Sequence, residues 1–101
     1  MGRQQFVILS SDPATDAGMA AIGTRAEIEK TLSAFNTGPE RAGELIYFGP
    51  GVRLELANED PVRQILMTIT EEEIAWQVIL RIGKAMHWKL LDPSTGRELT
   101  P

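Results

Sequence analysis

Residues 70–86 constrain the fold more than any other part of this sequence. Thr70 and Glu73 have the spacing of a capping box, in which each side chain accepts a hydrogen bond from a free amide of the first helical turn. The isoleucines on either side of this pair occupy the positions of a hydrophobic staple. Acidic residues follow the cap and basic residues come later, as the helix dipole favours. The pattern therefore predicts a helix from about Glu71 to Met86.

Shorter patterns predict six further elements. Thr24 and Glu27 form a second capping-box pattern, so a helix begins there, and Gly38 is expected to end it in a left-handed conformation. Residues 49–51, Gly-Pro-Gly, predict a hairpin turn. The predicted strands are Phe6–Leu9, Leu45–Phe48, Val52–Leu56, a strand whose inner face is Ile65, Met67 and Ile69, and Trp88–Leu91.

The order of these elements, β-α-β-β-β-α-β, predicts the fold class. Two crossover helices on one face of a mainly antiparallel sheet give an α+β two-layer sandwich. The arrangement resembles the ferredoxin-like split β-α-β architecture with an extra strand. We expect residues 1–101 to form a single domain, with a long loop at 11–23.

Charge and composition exclude several classes of function. The net charge is −4, and no two of the ten basic residues are adjacent, which disfavours nucleic acid and anionic membranes as partners. The chain has no cysteine, so disulfides and thiolate metal sites are excluded. The longest apolar run near the N-terminus has four residues, far too few for a signal peptide or a membrane span. We therefore expect a cytoplasmic protein.

Residues with chemical potential have structural explanations in this sequence. His87 is the only histidine and lies between the second helix and the last strand, where a C-terminal cap is expected. The acidic run at 71–73 spreads around a helix instead of converging on one ion. Asp12 and Asp16 lack the ligand pattern of a calcium loop. We predict no catalytic residues, no metal site and no cofactor, and an enzyme is the less favoured reading.

The end of the chain, Ile74 to Gly96, resembles the end of small bacterial α+β proteins of unknown function. In those proteins a helix, an aromatic strand and an Asp-Pro-x-Thr-Gly turn follow one another, as they do here up to Asp92–Gly96. The resemblance covers about the last third of the chain and carries no catalytic residue. It implies a bacterial housekeeping or accessory domain.

Two groups of apolar residues are left over after the core is assigned. On a helical wheel, the second helix turns Ile74, Ala75, Val78, Ile79, Ile82, Ala85 and Met86 toward the sheet. Trp76 and Leu80 fall outside this stripe, so either the 11–23 loop covers them through Met19 and Ile22 or a partner does. Leu45 and Tyr47 are assigned to the helix-free face of the sheet, which combines an apolar centre with charged flanks.

These surfaces lead to three functional hypotheses. The first is a non-enzymatic binding or interaction module that self-associates as a homodimer, or else binds another protein, through Trp76, Leu80, Leu45 and Tyr47. The second is a small-ligand site or weak enzyme where the 11–23 loop meets His87. The third is an acidic inhibitor or immunity-type protein that binds a basic enzyme.

Overall fold

The computed structural model describes residues 4–13 and 18–100 of the chain. Two helices and seven strands follow one another in the predicted order, with a two-residue strand added before the predicted second strand and another after the last. The elements are β1 (Gln5–Ser10), α1 (Arg25–Ser33), β2 (Gly38–Pro39), β3 (Ile46–Gly49), β4 (Val52–Leu56), β5 (Gln64–Ile69), α2 (Glu72–Met86), β6 (Trp88–Leu91) and β7 (Glu98–Leu99).

All seven strands form one open sheet in the order β2-β3-β4-β5-β1-β6-β7, and every neighbouring pair is antiparallel. Strand β1 separates β5 from β6, which are parallel to each other and are joined through α2. Strand β5 likewise separates β1 from β4, and α1 lies in the segment that joins them. Two interleaved split β-α-β units therefore make up the centre of the sheet, and the predicted α+β class is confirmed.

Both helices pack on one face of this sheet, which we call the covered face. The inward side chains of the strands and the buried stripes of α1 and α2 form a single apolar core. Strand alternation puts every second residue of the strands into it. The strand residues of this core are Phe6, Ile8, Tyr47, Val52, Leu54, Leu56, Ile65, Met67, Ile69, Trp88 and Leu90.

Helix α1 begins as its sequence predicts. The Thr24 side chain accepts from the amide of Glu27, and the Glu27 carboxylate accepts from the amide of Thr24, so the capping box is complete. These hydrogen bonds to Thr24 lower the pKa of Glu27 below its usual value. The end of the helix differs from the prediction, because Asn36, with φ of 55°, takes the left-handed conformation. Gly38 instead begins β2.

Helix α2 begins differently from its predicted capping box. Its N-cap residue is Glu71, and no side chain bonds to a free amide there, so the predicted roles of Thr70 and Glu73 are wrong. The carbonyl of Gly51 accepts from the amides of Thr70 and Glu71 at 2.8 and 3.1 Å. The β3–β4 turn thus packs under the start of α2, and its Gly51 carbonyl accepts the hydrogen bonds of these two amides.

Gly51 makes this docking possible. Its φ is 76°, and a Cβ atom at this position would lie 2.6 Å from the carbonyl oxygen of Glu71. Only glycine tolerates both the left-handed backbone and such a close approach. The Gly-Pro-Gly segment is therefore a hairpin turn, as predicted, and also the support on which α2 begins.

Candidate interaction surface

The second face of the sheet has no helix on it, and we call it the helix-free face. Strand pairing places five side chains side by side across its middle, and these are the central row: Ile46, Glu55, Leu66, Val7 and Leu91. Four of the five are apolar. Val7, Leu66 and Leu91 are half-buried and do not belong to the core.

Strand β3 adds the most exposed apolar groups of this face. Ile46 is 40% exposed and Phe48 is 44% exposed. Phe48 lies opposite Arg53 of β4, next to the central row. Leu9 extends the apolar area on the side of the central row that is opposite to Phe48. It lies two residues after Val7 on β1 and therefore on the same face of the sheet. The helix-free face therefore presents an aromatic ring and five aliphatic side chains to its surroundings.

Charged residues on this face occur as ion pairs. The guanidinium of Arg53 lies 3.5 Å from the carboxylate of Glu55, two residues along β4. The ammonium of Lys89 lies 2.8 Å from the carboxylate of Glu98 on β7. Each pair joins one positive and one negative group, so these flanks add no net charge to the face.

The sequence analysis assigned Leu45 and Tyr47 to the helix-free face, and this assignment is wrong. Tyr47 is only 4% exposed and belongs to the core, and Leu45 is half-buried against that core. Burial raises the pKa of the Tyr47 phenol, and the nearby carboxylate of Glu29 adds to the rise. Tyr47 lies opposite Leu54, so the pairing with β4 carries its ring to the covered face. Ile46 and Phe48 take the outer positions instead.

The signal that assigns these faces was present in the sequence. All four residues of the segment Leu45–Phe48 are apolar, so alternation within this segment cannot select a face. Strand β4 does alternate, and the short turn at 50–51 pairs Gly49 with Val52. Counting back through the hairpin from the apolar Leu54 gives the inward position of Tyr47.

Trp76 and Leu80 have different environments on α2. The ring of Trp76 packs edge-to-face on Phe6 of β1, with the centroids 5.6 Å apart, and is half-buried. Leu80 is 48% exposed. The buried residues of the helix are Ala75, Ile79, Ile82 and Gly83, while Ile74 and Ala85 are exposed. The buried stripe is thus rotated by roughly 50° from the predicted one, toward Trp76.

Buried Gly83 explains this rotation. A glycine has no side chain to keep the helix away from the sheet, so the Gly83 side of α2 packs inward. In the described part of the 11–23 loop, Met19 does not lie over Trp76. Met19 instead lines a depression with Ser10 at the far end of β1 from Phe6, and Ile22 packs against the core and donates to the carbonyl of Val62.

His87 has the predicted structural role. It is the C-cap of α2 with φ of 53°, and its amide donates to the carbonyl of Gly83. Its own carbonyl accepts from the amide and the hydroxyl of Ser11, at 3.0 and 2.7 Å. The loop after β1 therefore does meet His87, but through the backbone, and the residue is exposed.

A small depression opens near this contact. Its volume is about 80 Å³, and its lining combines two cationic side chains, one carboxylate and apolar surface: Leu9, Ser10, Asp12, Met19, Ala20, Arg63 and Lys89. Lys89 is already paired with Glu98, and Arg63 lies 3.9 Å from Glu59.

Metal binding and membrane insertion are two further possibilities for residues 4–13 and 18–100. No three histidine, aspartate or glutamate residues within these ranges gather in a way that would hold a metal ion. Neither helix within them has the length and apolar character needed to cross a bilayer. Asp16, which the calcium-loop pattern involved, lies outside the described residues.

Comparison of the chain with protein-family models, curated proteins and solved structures gives no match. The resemblance of residues 74–96 to small bacterial proteins stays a prediction, as does the cytoplasmic location.

Proposed function

We propose that this chain is a non-enzymatic protein-interaction module and that the helix-free face of its sheet binds another protein chain. The observation that carries the proposal is the exposure of Ile46 and Phe48 beside the half-buried apolar residues of the central row. Contiguous apolar surface of this kind, bordered by polar groups, is typical of protein interfaces.

The charge of this face favours a protein over a nucleic acid. Within the described residues, the charged side chains that its strands present are two basic and two acidic groups that pair with each other, and one further cation and one further carboxylate, Arg63 and Asp12, border it beside Leu9. Nucleic acid binding depends on a positive field that displaces counterions from phosphates. A neutral face with an apolar centre offers no such field, whereas a protein surface with apolar groups of its own gains from the contact.

The proposal moves the interface away from the residues that the sequence suggested. Tyr47 belongs to the core and Trp76 packs on Phe6, so neither offers a free apolar surface of the predicted size. Leu80 remains exposed on α2, as an isolated residue of the kind that most protein surfaces carry. The class of function stays the same, but the proposed surface is now the helix-free face alone, with Ile46 and Phe48 in place of Leu45 and Tyr47.

Photo-crosslinking tests this proposal directly. Benzoyl-phenylalanine in place of Phe48 puts a photoreactive ring on the helix-free face with little change of shape. The same residue in place of Leu80 is the matched control, since both positions are about half exposed. We expect irradiation of the intact protein, purified or in its native cells, to give a discrete adduct from position 48 and none from position 80. Adducts only from position 80, or from neither position, would contradict the proposal.

A small-ligand site is the second candidate, favoured by the depression beside Ser10. Arg63 and Lys89 in its lining suit a small organic anion such as a short carboxylate, and Leu9 and Met19 suit its apolar end. Thermal-shift assays with a panel of short-chain carboxylates test it, with Arg63→Ala as the matched variant. A shift that the variant removes supports this candidate, and no shift at millimolar concentrations counts against it.

A further inference from the structure

We infer that the partner of the helix-free face is a second copy of this chain, packed sheet against sheet about a two-fold axis that passes near Leu66. The inference rests on the proposed function, because it names the occupant of the same surface. Three observations carry it: the symmetry of the central row, the charge of the face and the size of the sheet.

The central row is symmetric about Leu66 in a way that suits self-association. Ile46 lies two strands from Leu66 on one side, and Leu91 lies two strands away on the other. At about 4.8 Å per strand, each is about 10 Å from Leu66. A two-fold axis parallel to the strands exchanges these two positions. Each copy then places its exposed Ile46 against Leu91 of the other, while Leu66 meets its own equivalent.

This arrangement matches the requirement for a symmetric dimer. In a two-fold interface the same patch is used by both copies, so residue i meets residue j and residue j meets residue i. Ile46 and Leu91 satisfy that rule with two apolar side chains, whereas the same axis places the carboxylate of Glu55 over Val7 of the other copy. Aligned packing of two sheets, about 10 Å apart, is also the ordinary way in which β-sandwiches bury such faces.

The charge of the helix-free face favours a second copy over a partner that is attracted by a large net charge. The chain carries a net charge of −4. The four charged residues on the strands of the helix-free face cancel, as do Arg63 and Asp12 beside Leu9, so the acidic excess lies elsewhere in the chain. Two copies therefore approach through the faces where their mutual repulsion is smallest. A strongly basic or strongly acidic partner would find no complementary field here.

Hydrogen bonding adds to the fit at one end of the row. Arg53 and Gln5 both lie opposite Thr68, on either side of it. The same two-fold axis places Arg53 of one copy over Gln5 of the other. Gln5 donates its amide to the hydroxyl of Thr68, which leaves the side-chain oxygen of Gln5 to accept from the guanidinium of the second copy.

The size of the sheet predicts a weak dimer. The five longer strands, β3, β4, β5, β1 and β6, average five residues and cover roughly 24 by 17 Å, so two copies bury on the order of 800 Å². This is below the roughly 1,000 Å² that a stable specific interface buries and falls among weak, transient contacts. Glu55 also enters the interface as an ion pair with Arg53, and its desolvation opposes association. We expect a reversible dimer that dissociates on dilution.

Cysteine crosslinking tests the axis as well as the dimer, because the natural chain contains no cysteine. The two single variants are Ile46→Cys and Leu91→Cys, treated with a short bis-maleimide that reaches about 10 Å. Equivalent Ile46 positions in the two copies would lie about 20 Å apart, four strands across, beyond its reach. We expect a mixture of the two variants to give several-fold more covalent dimer than either variant alone. Adding Leu66→Lys to both variants should abolish the product, and Leu80→Cys serves as the matched surface control.

The possible results separate this inference from the proposed function. Suppose the mixture gives no covalent dimer, the protein sediments as a monomer at every concentration, and position 48 crosslinks to a different protein. The second copy is then the wrong partner, and the interaction face stands. Equal crosslinking of each variant alone overturns the axis near Leu66. Covalent dimer formed only by Leu80→Cys overturns both the inference and the proposed function.

Discussion

The two faces of the sheet have similar side chains and opposite environments. Strand β1 places Phe6 and Ile8 on the covered face and Val7 and Leu9 on the helix-free face, yet only the first pair belongs to the core. Two helices, each about 10 Å wide, cover about four strands. Within residues 4–13 and 18–100 two helices lie on the sheet, and both cover the same face, so the apolar centre of the other face is the part that the proposed partner would cover. The comparison shows that apolar content alone does not say which face of a sheet is the core.

Truncation of a core residue on the covered face should have the largest effect. Leu54 is fully buried at the centre of β4. We expect Leu54→Ala to lower the free energy of unfolding by about 2–5 kcal/mol, because it removes apolar contacts and leaves a cavity. Urea unfolding at a concentration where the protein is monomeric measures this loss.

The matched control for this prediction is Leu66→Ala on the neighbouring strand. Leu66 has the same side chain but lies half-buried on the helix-free face, and we expect a loss of about 1 kcal/mol or less in the monomer. Equal losses from the two substitutions would mean that both faces are equally packed, and the distinction between them would be lost.

The turn under α2 should give the next largest effect. Gly51→Ala places a Cβ atom against the first turn of the helix at a residue whose φ is 76°. We expect it to cost about 2 kcal/mol or more, the sum of the backbone penalty and the clash. Gly96→Ala isolates the backbone penalty, because Gly96 has φ of 75° and open space around it. If the two variants are equally stable, α2 does not depend on the close approach of this turn.

Removal of the threonine hydroxyl at the start of each helix should change stability by a smaller amount, and by different amounts in the two helices. Thr24→Ala removes a complete capping box from α1 and should cost about 1 kcal/mol. Thr70→Ala should leave stability almost unchanged, because the hydroxyl of Thr70 does not cap α2. The pKa of Glu27 is lowered in the folded state. The stability that its ionised carboxylate contributes to the fold is therefore present above its ordinary pKa of 4.5 and is lost as the pH falls through the lowered value. Thermal unfolding of both variants at pH 7 and pH 3 checks the ranking.

The smallest effect concerns the ionisation of one phenol. Tyr47 is the only tyrosine, so the phenolate absorbance of the folded chain reports on it alone. Burial raises the pKa of Tyr47 above its ordinary value of 10.0. Its contribution to stability is therefore complete below pH 10 and is lost as the pH rises further. Titration with a midpoint near 10 would place Tyr47 on the helix-free face, as the sequence first indicated.

The sequence predicts the fold well where a pattern has one interpretation. The alternation in β4 and the cap at Thr24 each fix an element, and both are confirmed. An equally good capping pattern predicts the start of α2 and is wrong there, because the carbonyl of Gly51 accepts from the Thr70 amide that the Glu73 side chain would otherwise cap. That competing contact is tertiary, and local spacing does not reveal it.

The interaction surface was predicted less well for a related reason. When all four residues of a strand are apolar, alternation does not show which of them point to the core until the pairing with the next strand is known. The sequence therefore predicts Leu45 and Tyr47 on the helix-free face, where the structure has Ile46 and Phe48. The helical wheel placed Trp76 outside the core because it did not allow for the inward packing of Gly83. In both cases the missing information was the register between elements, which sets what each element buries.

The account depends most on the helix-free face being covered by another copy at high concentration. NMR spectra of the labelled protein between about 10 µM and 1 mM test this directly, because amide shifts locate the residues that change environment on dilution. We predict concentration-dependent shifts in β1, β3, β5 and β6, centred on Val7, Leu66 and Leu91, and none around Leu80. Shifts confined to the exposed side of α2, or spectra that do not change with concentration, would contradict the account.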